Sequence, residues 1–147
     1  MNKNTEEIKE MNKFLKGIHM GGSVFKDYIE IAESQELKSN LVEITETFKK
    51  HEEAITHRIE QLGGDANYSL GVTGMMSEFF QKIKLLSVNS DEEILDKAIE
   101  AMKMGMENAN KFIEEHEDLE ESLQNDINGV VKDYDNSLRR LESISLK

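Results

Sequence analysis

The chain contains no cysteine, no proline and no tryptophan, and its aromatic residues are limited to six Phe and three Tyr. Without thiols there is no disulfide framework, no Cys-based metal site and no Cys nucleophile. Without proline, and with β-branched runs scarce, the usual helix breakers and most candidate strands are missing. No apolar run approaches the roughly 18 residues that a bilayer span needs. The opening stretch Met1 to Glu10 is polar and mixed in charge, unlike a secretory leader, so a cytoplasmic location and no membrane partner are expected. Basic residues are also short, 18 against 30 acidic ones, giving a net charge of -12. A nucleic-acid partner is therefore not expected, because neutralising phosphates requires a Lys/Arg face.

What is present is helix-forming. The 147 residues are one domain's worth of chain, and Leu, Ile, Val and Phe make up about a quarter of it, enough for a modest core. Apolar or small residues recur in steps of three and four at Ile8, Met11, Leu15, Ile18, Gly22, Phe25, Ile29 and Ala32, one face of a helix A over about Thr5 to Glu33. After Ser34, a good N-cap, the seam slips by one and resumes at Leu37, Leu41, Ile44, Phe48, His51, Ile55, Ile59 and Leu62. This is helix B, about 35–62, folded back antiparallel on A. Gly63-Gly64 should stop it, since glycine adopts the left-handed conformation that closes a helix. The stretch 63–89 reads as a long crossover, glycine-rich at first and then carrying a short helix from Met75 to Val88.

Ser90 to Glu93 has the spacing of a capping box and opens helix C, about 91–115, with Leu95, Ala98, Met102, Gly105, Ala109 and Phe112 inward. Helix D, about 118–145, would be capped by Asp118 and hold Leu119, Leu123, Ile127, Val130, Tyr134, Leu138, Leu141 and Ile144 inward. The seam from Leu95 to Leu123 also fits one uninterrupted heptad register, so an elongated coiled-coil scaffold stays open as an alternative. With a turn near 115–118, two hairpins each bury one stripe against the other, and the fold class is all-α, a four-helix bundle with one long crossover.

The hairpin ending in Arg58-Ile59-Glu60-Gln61-Leu62-Gly63-Gly64, the Gly-rich crossover and the acidic second hairpin together resemble the uncharacterised bacterial ferritin-like four-helix-bundle proteins. That is a domain family of unknown function distantly related to the rubrerythrins. The resemblance covers nearly the whole chain and implies an up-down bundle with one crossover that self-associates. It implies no established reaction.

A ferritin-like architecture raises the question of a buried di-iron or di-manganese centre, which needs inward Glu residues and Glu-x-x-His pairs on facing helices. The residues three before His19, His51, His57 and His116 are Lys16, Phe48, Ala54 and Ile113, so no such pair exists. His51 stands about where the ligand histidine of rubrerythrin's second helix would be, with its Glu partner lost. As a core histidine it needs a hydrogen-bond partner, with Glu52, Glu107 or Tyr134 in reach on this reading. As a ligand it could join Glu52 and Glu107 around Fe, Mn or Zn. The run Glu114 to Glu121 would attract Ca²⁺ or Mg²⁺ weakly but lacks an EF-hand frame, and reads first as a solvated face. Gly22 and Gly105 fall mid-helix on inward stripes, where they permit close packing or leave a small cavity. The methionines read as core filler at helical spacing. No nucleophile elbow, phosphate loop or His-Glu-x-x-His motif occurs.

These observations lead to the expectation of a non-catalytic structural or interaction module with no cofactor. It would form a homo-oligomer or bind a protein partner through an exposed face including Val24, Tyr28, Phe79 and Phe80. The alternative is a metal-binding protein, an iron or manganese handler or oxidoreductase, with a degenerate site at His51, Glu52 and Glu107.

Overall fold

The computed structural model describes residues 3–66, 90–116, 118 and 120–146, and these described residues form four helices. These are α1 (Lys3–Ile31), α2 (Gln35–Gln61), α3 (Asp91–Glu115) and α4 (Glu121–Glu142). The expected crossover helix from Met75 to Val88, with Phe79 and Phe80, lies outside the described residues, as do Glu117 and Leu119.

Local chemistry sets the boundaries. Ser34 caps α2, its Oγ accepting the Leu37 N–H at 3.3 Å, and Ser90 caps α3 by accepting the Glu93 N–H at 3.2 Å. At the end of α2 the Gly63 N–H donates to the Glu60 carbonyl and the Gly64 N–H to that of Ile59, both at 3.0 Å. Gly63 has φ +87, which makes this a Schellman stop. A Cβ at Gly64 would lie 2.6 Å from Ile8 Cγ2, so the second glycine also lets α1 close over the stop. α4 differs from expectation. Glu120 occupies its N-cap without a side-chain hydrogen bond, so Asp118 is not the cap and the helix starts three residues later. The break between Glu115 and Glu121 overturns the single long coiled-coil helix.

The Asp91 carboxylate accepts the Glu33 and Ser34 N–H groups at 2.9 and 2.8 Å. The start of α3 therefore lies against the α1–α2 turn, at the end of the bundle opposite to where α2 stops. The end of α2 and the start of α3 thus lie at opposite ends of the bundle, roughly 40 Å apart for helices of this size. α1 pairs closely with α2 and α3 with α4, and the hairpins meet along α1·α3 and α2·α4. This is an all-α, ferritin-like four-helix bundle. No helix among the described residues is long and apolar enough to cross a membrane.

The core follows the expected stripes with additions. Phe14, Val24, Tyr28 and Ile94 are buried although they lie beside the narrow seams, because each bundle helix faces two neighbours and buries a wider arc than a two-stranded coil. Leu95 and Leu138 are only partly buried. Val24 and Tyr28, at 2% and 3% exposure, cannot belong to an exposed apolar face, and among the described residues only Ile31 and Val42 are large exposed hydrophobics.

Candidate functional site

The middle of the bundle, where this architecture places a dinuclear centre when it has one, is filled by rings. Phe25 of α1 packs edge-on against Phe48 of α2 at 5.2 Å between centroids, and Phe48 packs edge-on against Tyr134 of α4 at 5.4 Å. His51 meets the same tyrosine at 5.9 Å and 89°. Beyond these, Phe14 and Phe112 close the α1·α3 seam at 5.3 Å.

Helical glycines seat the rings. A Cβ at Gly21 would come 3.5 Å from the Phe48 ring, and one at Gly105 would come 2.9 Å from Tyr134 Cε2, closer than side chains tolerate. Each glycine lowers helix propensity by about 1 kcal/mol and in return lets a ring press against the backbone. Gly22 and Gly105 do not share one cavity. Gly105 lines a narrow slot of about 20 Å³ with Gly17, Gly21 and Tyr134. Gly22 instead lines an outer groove of about 380 Å³ between α1 and α2, with Lys26, Lys49 and Phe48.

The three residues considered as metal ligands are pulled apart. His51 is buried at 6% exposure, and its Nε2 lies 3.1 Å from Asp133 Oδ2 on α4. That contact is close but poorly aligned, leaving Nε2 without a well-formed hydrogen bond. Asp133 is the partner that sequence reading missed. Glu52 turns outward to His19, whose Nδ1 sits 2.8 Å from its Oε1. Glu107 is exposed on α3. The three share no centre, because successive positions on α2 point about 100° apart and Glu107 projects to solvent. Among the described residues no group of three or more His, Cys, Asp or Glu side chains could hold a metal ion. The residues at the centre of the bundle do not fit a dinuclear carboxylate site.

Electrostatics here follow burial. Removal from water lowers the His51 pKa, and Lys50 adds to the effect while Asp133 opposes it. Burial raises the Tyr134 pKa, with Glu52 adding to the rise. Tyr28, whose hydroxyl is buried without a hydrogen-bond partner, is pushed up to about 12 by burial, then by Glu100 and Asp27. His116 stacks on Phe112 at 4.4 Å with its Nδ1 2.8 Å from that residue's carbonyl, so it finishes α3. Of the acidic run, Glu114, Glu115, Asp118, Glu120 and Glu121 are exposed.

A model of the family described as "Domain of unknown function (DUF2383)" matches residues 6–115. Among solved structures the chain is similar to one described as a ferritin like, diiron-carboxylate protein from Bacillus anthracis str. Ames, with a TM-score of 0.75, 16% identity and 97% of each chain covered. At that identity the likeness is one of fold. No curated protein matches the sequence significantly.

Proposed function

The chain belongs to the DUF2383 family, and from that premise we propose that it is a non-catalytic ferritin-like bundle, cytoplasmic, that works through its surface as a structural or protein-interaction module. The observation that carries this reading is the Phe48–Tyr134 contact at 5.4 Å, with Tyr134 pressed onto Gly105. Packed rings stand where converging carboxylates would have to anchor an oxygen-activating centre. Self-association or a protein partner belongs to the same proposal. Since large exposed hydrophobics are confined to Ile31 and Val42 among the described residues, the contact surface would be polar and its strength would fall with salt.

The test is elemental analysis of the purified chain after titration with Fe²⁺, Mn²⁺ or Zn²⁺, together with sedimentation over a range of protein and salt concentrations. The proposal expects no near-stoichiometric ion and salt-weakened association. A bound ion approaching one per chain, lost in His51→Ala, would establish the metal-binding alternative. That alternative draws its support from the proximity of His51 and Asp133 rather than from Glu52 or Glu107.

A further inference from the structure

Along α4, Ser122, Asn125, Gly129, Lys132, Asn136 and Arg139 recur in steps of three and four and so form one stripe. All are exposed except Gly129, which is half-buried. In a chain with 30 acidic side chains, this stripe holds two cations and no carboxylate. The acids beside it are engaged within the chain, Asp126 lying 2.7 Å from Arg58, Asp133 3.1 Å from His51 and Asp135 2.9 Å from Arg139. Arg139 is nonetheless 74% exposed and keeps guanidinium N–H groups free for a further acceptor.

The stripe is also costly as helix. Ser, Asn and Gly all have lower helix propensity than the Glu and Lys that usually solvate such a face. Gly21 and Gly105 seat aromatic rings, whereas a Cβ at Gly129 would meet nothing within 4 Å, so no contact inside the chain accounts for this glycine. Ala54 of α2, exposed, lies level with it, midway between the Arg58–Asp126 and His51–Asp133 contacts.

We propose that α4 is the contact helix of a homodimer, in which two copies of the chain pack this stripe antiparallel about a two-fold axis at Gly129. The inference rests on the self-association proposed above and names its surface.

A second copy fits because the stripe complements itself when reversed. α4 runs from Glu120 and Glu121, both exposed, to Arg139 and Arg140. With the axis at residue 129, Arg139 of each copy falls within a turn of the partner's Glu120 and the partner's Glu121, so the charge match is made twice. A parallel pairing would set like ends together. Asn125 falls opposite the partner's Lys132 and Ser122 opposite the partner's Asn136, and amides and hydroxyls both donate and accept, so the two identical faces can satisfy one another. Chains at a net charge of -12 repel, and the acid-free stripe is where two of them can approach. The missing side chain at Gly129 lets the backbones come close at the crossing. One helix pair buries less than the roughly 1,600 Å² of a standard stable interface, so the dimer forms reversibly.

The experiment uses the full chain, which has no cysteine, so an introduced thiol is the only one. Sedimentation from micromolar to millimolar protein should show a monomer–dimer equilibrium. Gly129→Gln, whose side chain starts into open space, should raise the dissociation constant about tenfold or more with helical circular dichroism unchanged, while Glu107→Gln on the exposed face of α3 should leave it unaltered. A short bismaleimide should join Ser122→Cys to Asn136→Cys when the two variants are mixed. Neither variant should be joined to itself, because like sites lie seven residues from the axis on each copy, about 20 Å apart. A chain that stays monomeric throughout would overturn the dimer and, with it, the self-association proposed above. A dimer indifferent to Gly129→Gln, or one in which Ser122→Cys and Asn136→Cys are not joined, would overturn the α4 pairing alone and leave self-association through another face standing.

Discussion

Gly105 and Tyr134 form one packing unit across the second hairpin: the tyrosine ring occupies the space that a Cβ on residue 105 would need, with Cε2 only 2.9 Å from that position. The glycine in α3 and the ring in α4 are each explicable only by the other. Gly105→Ala should gain about 1 kcal/mol of helix propensity and lose about 1–3 kcal/mol by displacing a ring that is itself wedged between Phe48 and His51. The expected net is a destabilised protein, read as a lower midpoint in urea unfolding with an unchanged slope.

Gly129 is the contrasting case. It lies within α4 at negative φ, and a Cβ there would meet nothing within 4 Å. Gly129→Ala should therefore stabilise the protein by about 0.5–1 kcal/mol, and thermal melts of the two alanine variants should move in opposite directions.

Asp91 ties the two hairpins together by accepting the Glu33 and Ser34 N–H groups while standing in the first turn of α3. Asp91→Ala removes a charged acceptor from two donors and a favourable charge from a helix N-terminus, which should lower stability by about 1–3 kcal/mol. Asp91→Asn, keeping one acceptor oxygen, should fall between wild type and Ala in chemical denaturation. If all three variants unfold at the same denaturant concentration, the carboxylate does not hold the turn.

Tyr28 and Tyr134 should resist ionisation. Their folded pKa values are raised above the ordinary 10 by burial, so the folded state holds these protons more tightly than the unfolded chain does. Stability from this source is complete below pH 10 and is lost as pH climbs beyond it. Phenolate absorbance during an alkaline titration should show these two residues ionising together with loss of helical circular dichroism, and Tyr28→Phe should remove a share of the late amplitude. More than one tyrosine's worth of phenolate appearing near pH 10 in a still-folded protein would contradict this, since the chain has three tyrosines.

Much of the architecture was legible from local pattern. The three-and-four spacing marked the stripes of all four helices, Ser34 and Ser90 are the N-caps expected, and Gly63 takes the left-handed conformation that ends α2. Where local signals were weak the reading slipped. Asp118 had cap spacing, yet α4 begins at Glu121, and Val24 and Tyr28 looked external on a two-helix seam but are covered in a bundle. The candidate centre was half legible. The absence of any Glu-x-x-His pair and the inward position of His51 were readable, whereas its partner was not.

Periodicity and capping are properties of neighbouring residues, so the sequence alone determined that there are helices, roughly where they turn, and which stripe of each is oily. Which residues on different helices face one another depends on the rotation and register of two hairpins about a common axis, which no local interaction encodes. The tertiary structure therefore decided that Asp133 meets His51, that Glu52 leaves for His19, and that Tyr134 fills the hollow over Gly105.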